Sequence, residues 1–285
     1  MNLLVEIIKF LIYSIMIVLI AKYILVKILR KIGELLELKP KVIGNIAGIA
    51  TSIPELLTVS FSAFAGLITT STYNIISSNI INLLQYSIAI ILNKNQKAVR
   101  NQAIKVDLSL VIITILIPIM MIIFQIEHNM ILIPIFLVLL FLFYRISNNA
   151  HKLYMKKEKG TEDKNEEGER INKNVESSIA KRYFYVFIYG ILLFLVGVAL
   201  YIIGNLLSDV LENLCIRFQI PEIIIGMLLG FITSLPELIT FFESQKHHEN
   251  EKEGVVEATS NLLTSNIMNL FVIQSIGILI YAIIS

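Results

Sequence analysis

The chain has little cysteine and little charge. Cys215 is the only cysteine among 285 residues, which excludes a disulfide within the chain. Charged residues make up 16% of the sequence and hydrophobic residues 56%, and the mean hydropathy is +0.76. The hydrophobic residues also arrive in long blocks, so the composition excludes an ordinary soluble domain and indicates a membrane protein.

Eight apolar blocks follow one another along the chain. All but the fifth reach the roughly 20 residues that a transmembrane helix needs, and the fifth, which contains Pro134, has about 18. The first block begins near Leu3 and lacks a small-residue cleavage site, so we interpret it as a span rather than a signal peptide. We predict an all-α integral membrane protein with about eight transmembrane helices, over residues 5–27, 42–68, 72–92, 106–126, 129–146, 183–207, 220–242 and 254–284.

Lysine and arginine are concentrated on alternate connections between these blocks. The connections 27–41, 93–105, 145–182 and 243–254 carry 21 of the 24 basic residues, whereas the other connections carry only Arg217. Because basic loops stay in the cytoplasm, we predict a protein of the cytoplasmic (plasma) membrane with both termini extracellular. The same rule places segment 148–182 in the cytoplasm, and its content of Lys, Glu, Asn and Gly is typical of a disordered charged linker.

Two distant blocks carry nearly the same polar motif. The motif reads Thr51-Ser52-Ile53-Pro54-Glu55 in the second block and Thr233-Ser234-Leu235-Pro236-Glu237 in the seventh. A carboxylate at the centre of a membrane helix costs about 2.5–3.5 kcal/mol on insertion scales. The predicted topology sends the two motifs into the membrane from opposite sides, as in inverted-topology repeats, which bind ions at the repeat interface.

A polar stripe follows each motif in the next block. Residues that recur every four positions share one helix face, and the stripes are Asn74, Ser78 and Asn82 in the third block and Asn261, Ser265 and Asn269 in the eighth. One stripe alone would favour hydrogen bonding between membrane helices. Two matched stripes, each after a Pro-Glu motif, favour an ion site instead.

The motifs offer hard oxygen ligands. Ser52 and Thr51 precede Glu55 by three and four residues, so their hydroxyls share its helix face, and the second motif repeats this spacing. Each proline lacks an N–H, and the carbonyls that it frees are tolerated in hydrocarbon where they line a cavity or meet an ion. Neither motif contains a thiolate or an imidazole, so the set suits Ca2+, Na+ or Mg2+ rather than zinc or copper.

The paired motifs resemble the α-repeats of the Ca2+/cation antiporter superfamily, most closely its sodium/calcium exchanger branch. The family pattern is roughly Gly-x-x-x-Ala-x-Gly-Thr-Ser-x-Pro-Glu, followed in the next helix by Gly-Ser-Asn-x-x-Asn/Asp, and the motif regions here are 44–83 and 226–270. The resemblance implies a first repeat over 1–147 with five spans, the linker 148–182, and a second repeat over 183–285 with three spans. It also leads us to expect that the last two of the family's usual ten helices are absent.

The same resemblance implies a secondary active transporter, not an enzyme, that exchanges Ca2+ for Na+ by alternating access. It implies no cofactor and no nucleic-acid partner; the partners would be membrane lipid and the transported Ca2+ and Na+ ions. The implied ligands are the carboxylates of Glu55 and Glu237, the carbonyls of Thr51 and Thr233, the hydroxyls of Ser52, Ser234, Ser78 and Ser265, and the amides of Asn82 and Asn269.

The sequence departs from the family pattern at several positions. Ala50 and Ile232 replace the glycine before Thr-Ser, and the bulky, β-branched Ile232 predicts a different local backbone in the second repeat. Asn269 stands where the second repeat often has Asp, which removes an acidic ligand. The spacing from the motif glutamate to the serine of the stripe is 23 residues in the first repeat and 28 in the second.

Two alternatives therefore stay open at this point. One is a Ca2+ (cation)/H+ antiporter of the same superfamily, because two membrane glutamates can exchange Ca2+ for protons. Against it, the Gly-Asn-x-x-Glu pattern that is usual in proton-coupled branches does not occur here. The other is a non-transporting membrane paralogue, marked by Ile232 and the missing helices, and the intact pair of Glu55 and Glu237 argues against it.

Overall fold

A computed structural model describes residues 2–20, 23–24, 27–28, 31–32, 40–159, 175–247 and 251–285. Over these ranges all regular structure is helical and no strand occurs. In chain order the helices are α1 Leu3–Ile20, α2 Pro40–Thr51, α3 Ile53–Phe64, α4 Ile68–Leu92, α5 Gln102–Ile123, α6 Leu132–Lys159, α7 Val175–Glu212, α8 Glu222–Thr233, α9 Leu235–His247, α10 Glu251–Ile267 and α11 Gln274–Ile284.

Eight helical stretches among the described residues are long and apolar enough to cross a membrane. They are Leu3–Ile20, Lys41–Phe64, Ile68–Leu92, Gln102–Ile123, Leu132–Tyr154, Phe187–Arg217, Glu222–Gln245 and Glu253–Ile284. The predicted count of about eight is confirmed. The fifth span reaches 23 residues, more than the predicted 129–146, because its helix continues through the polar residues after Ile146.

Helices enter the predicted charged linker from both sides. α6 continues to Lys159 and α7 starts at Val175, so the flanks of 148–182 are helical rather than disordered. The flank after Ile146 contains Lys, Met and Glu, which are good helix formers once a span has nucleated the helix. Residues 160–174 lie outside the described ranges.

Both motif spans are broken at the motif serine. α2 ends at Thr51 and α3 begins at Ile53, and α8 ends at Thr233 and α9 begins at Leu235. Pro54 lies in the first turn of α3, where its missing N–H has no helical partner to lose. The proline-associated breaks that the motifs predicted are therefore present in both repeats.

Ile232 does not change the local backbone, contrary to the expectation from its bulk. The junction residue has φ −81° and ψ 0° at Ser52 and φ −79° and ψ −1° at Ser234, so the two breaks have the same geometry. Ala50 and Ile232 both point into an apolar cluster with residues of α1 and α7, such as Phe10 and Leu200. The extra carbon atoms are accommodated in that cluster and leave the junction unaffected.

Two close helix crossings bring the repeats together. α2 packs along α10, and α8 packs along α4. At the first crossing, a Cβ on Gly48 would lie 2.7 Å from the carbonyl oxygen of Asn261, and at the second a Cβ on Gly230 would overlap the carbonyl oxygen of Asn74. Small residues let membrane helices approach this closely, so the glycines place each broken span against the polar stripe of the other repeat.

The remaining helices surround this centre. α1 and α7 pack on each other and on α3 and α8, and α5 and α6 pack against α10 and the π-helical turn Met268–Ile273. Phe136 and Phe143 of α6 contact the ring of Phe271 in that turn. Large apolar side chains on the outer faces, such as Phe187 and Phe194, are exposed, as expected for surfaces that meet lipid.

Candidate cation-binding site

The two motif glutamates are buried at the centre of the fold. Glu55 and Glu237 are both 0% exposed, and they lie close enough for Coulombic repulsion between their carboxylates. Each sits in the first turn after a helix break, on α3 and α9. No lysine or arginine among the described residues forms an ion pair with either one.

A serine of the following stripe holds each carboxylate. Ser78 Oγ donates a hydrogen bond to Glu55 Oε1 at 2.8 Å, and Ser265 Oγ donates to Glu237 Oε1 at 3.1 Å. The Glu-to-Ser contact is therefore the same in both repeats, although the sequence separation differs by five residues. The additional residues lie in the helices themselves: α10 begins 14 residues before Ser265 whereas α4 begins ten before Ser78, and α9 extends one residue further past its glutamate than α3 does.

Each stripe serine also joins the opposite repeat. Ser78 Oγ accepts from Ser234 Oγ at 2.9 Å and from Asn269 Nδ2 at 3.1 Å. In the same way, Ser265 Oγ lies 3.0 Å from Ser52 Oγ and accepts from Asn82 Nδ2 at 3.3 Å. One repeat thus supplies the carboxylate and its serine, and the other supplies the groups that orient that serine.

The motif threonines lie beside the opposite carboxylate. The Thr233 side chain contacts the Glu55 carboxylate, and the Thr51 side chain contacts that of Glu237. Both are 0% exposed. All ten residues that the resemblance implied as ligands are therefore buried in one cluster that draws on both repeats.

Several further members of this cluster are not in the ligand set that the resemblance implied. Asn74 Nδ2 donates to Thr58 Oγ1 at 2.7 Å, and Asn261 Nδ2 donates to Thr240 Oγ1 at 2.7 Å. The i, i+4 stripe pointed to the asparagines, whereas the spacing from Glu55 to Thr58, and from Glu237 to Thr240, could have revealed the threonines as residues on the glutamate face.

Six buried side-chain oxygens of the cluster have no hydrogen-bond partner. They are Glu55 Oε2, Glu237 Oε2, Asn74 Oδ1, Asn82 Oδ1, Asn261 Oδ1 and Asn269 Oδ1. The amide nitrogens of these asparagines all donate to protein acceptors. Buried polar groups in native proteins are normally partnered, so a set of acceptors without donors fits a bound cation.

The types of ligand atom in this cluster determine which cations it can bind. Among the described residues, no three or more His, Cys, Asp and Glu side chains come together as a metal-binding group. The site instead has two carboxylates, and its other ligands are neutral hydroxyl and amide oxygens. Such oxygen-only sets bind hard cations. Two carboxylates balance the charge of one divalent cation or of two monovalent ones.

Comparison with known proteins agrees with this architecture. The family model described as sodium/calcium exchanger protein matches residues 7–147 and 188–285, which is well over half of the chain. No curated protein matches the chain significantly.

Two solved structures of the sodium-calcium exchanger NCX_Mj are similar to this chain. One was soaked with Na+ and zero Ca2+ and the other with Na+ and Sr2+; they share 20% and 21% sequence identity with it, each at a TM-score of 0.50. The alignments cover 98% of this chain and 84% and 83% of the other chains. At such identity the likeness shows the fold alone. Since the family match spans both repeats of an eight-span helical fold, this chain belongs to the sodium/calcium exchanger family, as an integral membrane cation exchanger rather than an enzyme.

Proposed function

We propose that the protein exchanges Ca2+ for Na+ across the cytoplasmic membrane by alternating access, with Glu55 and Glu237 as the principal ligands. The observation that carries this proposal is the set of six buried, unpartnered oxygens around two carboxylates. Such a set is unfavourable without a cation, because each oxygen is buried and accepts no hydrogen bond from the protein. Bound cations supply partners for such oxygens, with the two carboxylates as the charged ligands.

Competition for the same oxygens explains exchange. One Ca2+ neutralises both carboxylates, and so do two Na+ ions, whereas the unneutralised pair repels itself. The neutral ligands implied by the resemblance, the carbonyls of Thr51 and Thr233 and the side chains of Ser52, Ser234, Ser78, Ser265, Asn82 and Asn269, complete the coordination of either ion. A site that binds one kind of cation at a time couples the release of one to the binding of the other.

The interface between α1, α7 and the centre is suited to a sliding motion. It consists mainly of the apolar cluster around Phe10, Leu200 and Ile225, and it includes a hydrogen bond that Ser208 Oγ donates to the carbonyl of Phe61 at 3.1 Å. Small sliding movements of packed helices are a common form of conformational change. Moving α1 and α7 as a unit would open the site to either side while the ligands stay in place.

A cation/proton antiporter is the second candidate. Glu55 Oε2 and Glu237 Oε2 are buried without partners, so each carboxylate can hold a proton in place of a cation. Asn269, which stands where an acid is common in the family, offers one charge fewer for Na+. A non-transporting paralogue stays the third candidate, and the retained glutamate pair argues against it.

Radioactive calcium uptake into proteoliposomes tests these candidates. We expect 45Ca2+ flux driven by an imposed Na+ gradient, and loss of that flux in Glu55→Gln and in Glu237→Gln, with both variants folded. Replacing a buried charge with a neutral isostere is often neutral for stability, so lost flux reports on ion binding. Glu243→Gln is the matched control, because it makes the same change at an exposed position of α9.

The outcomes separate the three candidates. Flux driven by a pH gradient but not by a Na+ gradient supports proton coupling. Unchanged Na+-driven flux in both glutamine variants contradicts the role of the carboxylates. Absence of flux under either gradient supports the non-transporting paralogue.

A further inference from the structure

Another buried carboxylate, that of Glu257, lies on the same helix face as the second polar stripe. Glu257 precedes Asn261 by four residues and Ser265 by eight, which places it about 6 Å and 12 Å from them along the axis of α10. Its side chain is 1% exposed, and its Oε1 accepts a hydrogen bond from Ser244 Oγ at 2.6 Å. Neither the motif nor the ligand set that the resemblance implies includes this residue.

The other repeat shows that the fold does not require a carboxylate at this place. Gly44 packs against the carbonyl of Glu257 at one helix crossing, and Gly226 packs against the carbonyl of Thr70 at the other. Glu257 and Thr70 are therefore equivalent positions of the inverted repeats. A threonine satisfies the packing in one repeat, so the glutamate in the other introduces a buried charge that packing does not demand.

Glu257 lies between the central site and one face of the molecule. Its partner Ser244 precedes Gln245, whose Oε1 accepts from Asn93 Nδ2 at 3.2 Å and from Asn95 Nδ2 at 3.1 Å. These asparagines belong to the basic connection 93–105. A cation that moves between this face and Glu237 along the stripe of α10 therefore passes Glu257.

Asn261 provides an oxygen on the way from Glu257 to the central site. Its Nδ2 is fixed on Thr240 Oγ1 at 2.7 Å, and its Oδ1 is fully buried without a partner. The side chain sits one helical turn from Glu257 and one turn from Ser265 on the same face. A cation that moves inward along this face would therefore meet the Glu257 carboxylate, then the unpartnered amide oxygen of Asn261, and then the Glu237 carboxylate.

We propose that Glu257, Ser244 and Asn261 form an auxiliary site for hard cations, Ca2+ or Na+, between the central site and the face that carries the 93–105 connection. The proposal rests on the proposed exchange function. A carboxylate with hydroxyl and amide oxygens suits these cations, and a buried negative charge on a pathway raises the local cation concentration. The auxiliary site favours cation binding from this face.

The opposite face lacks an equivalent buried acid on its stripe. On that side the position equivalent to Glu257 is Thr70, whose N–H and Oγ1 both donate to Glu222 Oε2, at 2.8 Å and 3.1 Å. That carboxylate is half-buried and satisfies a backbone donor in the first turn of α4, which explains it without a ligand. The two faces therefore differ in affinity for the transported cation.

Face-resolved affinity in oriented vesicles tests the proposal. We expect Glu257→Gln to raise the half-saturating Ca2+ concentration by about fivefold or more on the face of the 93–105 connection, and by less than about twofold on the other face. Glutamine still accepts the hydrogen bond of Ser244, and the loss of any other structural contact of residue 257 would change both values together rather than one. Glu253→Gln, an exposed residue one turn earlier on α10, is the matched control and should change neither value.

Several results would overturn the inference. Equal values on both faces, whether unchanged or raised together, exclude an auxiliary site on one pathway. If Glu257→Gln does not fold, Ser244→Ala removes one oxygen ligand and keeps the carboxylate; it should raise the half-saturating concentration on the 93–105 face alone, and no rise there contradicts the proposal. Absence of cation-coupled flux in the unmodified protein overturns the proposed function and this inference together, whereas face-independent affinity overturns this inference alone.

Discussion

At the scale of single residues, Ser78 and Ser265 connect the two repeats. Each donates to the glutamate of its own repeat and accepts from a serine and an asparagine of the other. Because a hydroxyl has one hydrogen to donate, the donation to the glutamate leaves its oxygen to accept from the opposite repeat. Any change in charge at one glutamate therefore reaches side chains of both repeats.

Replacing Asn269 with Asp should make the protein depend more strongly on cations. Asn269 Nδ2 donates to Ser78 Oγ and Asn79 Oδ1, each at 3.1 Å, and an aspartate has no hydrogen for either acceptor. Leaving buried polar groups unpaired costs about 1–3 kcal/mol, and a bound cation removes that cost while gaining a third acidic ligand. We expect Asn269→Asp to lower the thermal unfolding midpoint without Ca2+ and to raise Ca2+ affinity.

Thermal unfolding in detergent, with and without Ca2+, measures both effects. Asn129→Asp is a suitable control, because Asn129 is exposed and uses only its Oδ1, which accepts from the N–H of Ile131. An Asn269→Asp variant that unfolds at the wild-type temperature in both buffers would contradict the ligand role of residue 269.

At the scale of the helices, glycines at the two crossings set the distance between the repeats. A Cβ on Gly230 would overlap the carbonyl oxygen of Asn74 and lie 2.7 Å from the Cβ of Ser77. Backbone atoms cannot move aside as a flexible side chain can, so the whole crossing must widen. The unpartnered oxygens of Asn74 and Glu55 would then move with α4 and α3.

Gly230→Ala should therefore destabilise the protein and weaken cation binding. Overpacking typically costs about 1–3 kcal/mol, and displaced ligands lower affinity in addition. Gly197→Ala in α7 is the control, since its Cβ would meet nothing within 4 Å and alanine is favoured over glycine in helices by about 0.5–1 kcal/mol. The unfolding midpoint should fall for Gly230→Ala and stay level or rise for Gly197→Ala; equal midpoints would refute the close-packing argument.

A buried polar pair ties α5 to α6. His151 Nε2 lies 2.7 Å from Asp107 Oδ2, and both side chains are nearly inaccessible. Lys41, at the start of α2, is attracted by Asp107 and donates to Ser147 Oγ at 3.1 Å. The pair thus fixes two outer helices beside the helix that leads to Ser52.

Removing His151 alone should be costly, whereas replacing the pair should not. His151→Leu leaves Asp107 buried without its partner, which costs about 3–5 kcal/mol, while apolar replacement of a whole buried pair is often neutral. We expect a large drop in unfolding midpoint for His151→Leu and recovery in the Asp107→Leu/His151→Leu double variant. His128→Leu, at an exposed turn, controls for the change of residue type, and a single variant as stable as wild type would exclude a tie between the helices.

At the scale of the whole molecule, the inverted repeats and the uneven distribution of basic residues predict an orientation in the membrane. From the positive-inside rule we predict that the four basic connections lie in the cytoplasm. The described helices fit this order, because successive spans are joined alternately by basic connections and by connections with few basic residues. The prediction that both termini are extracellular follows from the same alternation.

Cysteine accessibility tests that orientation. In a Cys215→Ser background, a cysteine at position 160 should react with an impermeant reagent only when the cytoplasmic face is exposed. A cysteine at position 128, on the turn between α5 and α6, should react only from outside. Labelling of position 160 in intact cells would reverse the assignment of every connection.

Some features of this protein follow from the sequence by itself. The eight spans depend on the length of apolar runs, and the stripe through Ser78 or Ser265 depends on the helical period; both are local properties. The motif prolines also determine locally where the helices break. The fold class, the doubled motif and the grouping of candidate ligands on two helix faces could therefore be predicted.

Other features were decided only by the tertiary structure. Packing turned Ile232 toward the α1–α7 cluster, paired Asp107 with His151, and set Glu257 at the position equivalent to Thr70. It also gave each stripe serine its partners from the other repeat. The hydrogen bonds among these contacts join residues between 44 and 213 positions apart in the chain, and no periodicity within one helix specifies which faces of two distant helices meet.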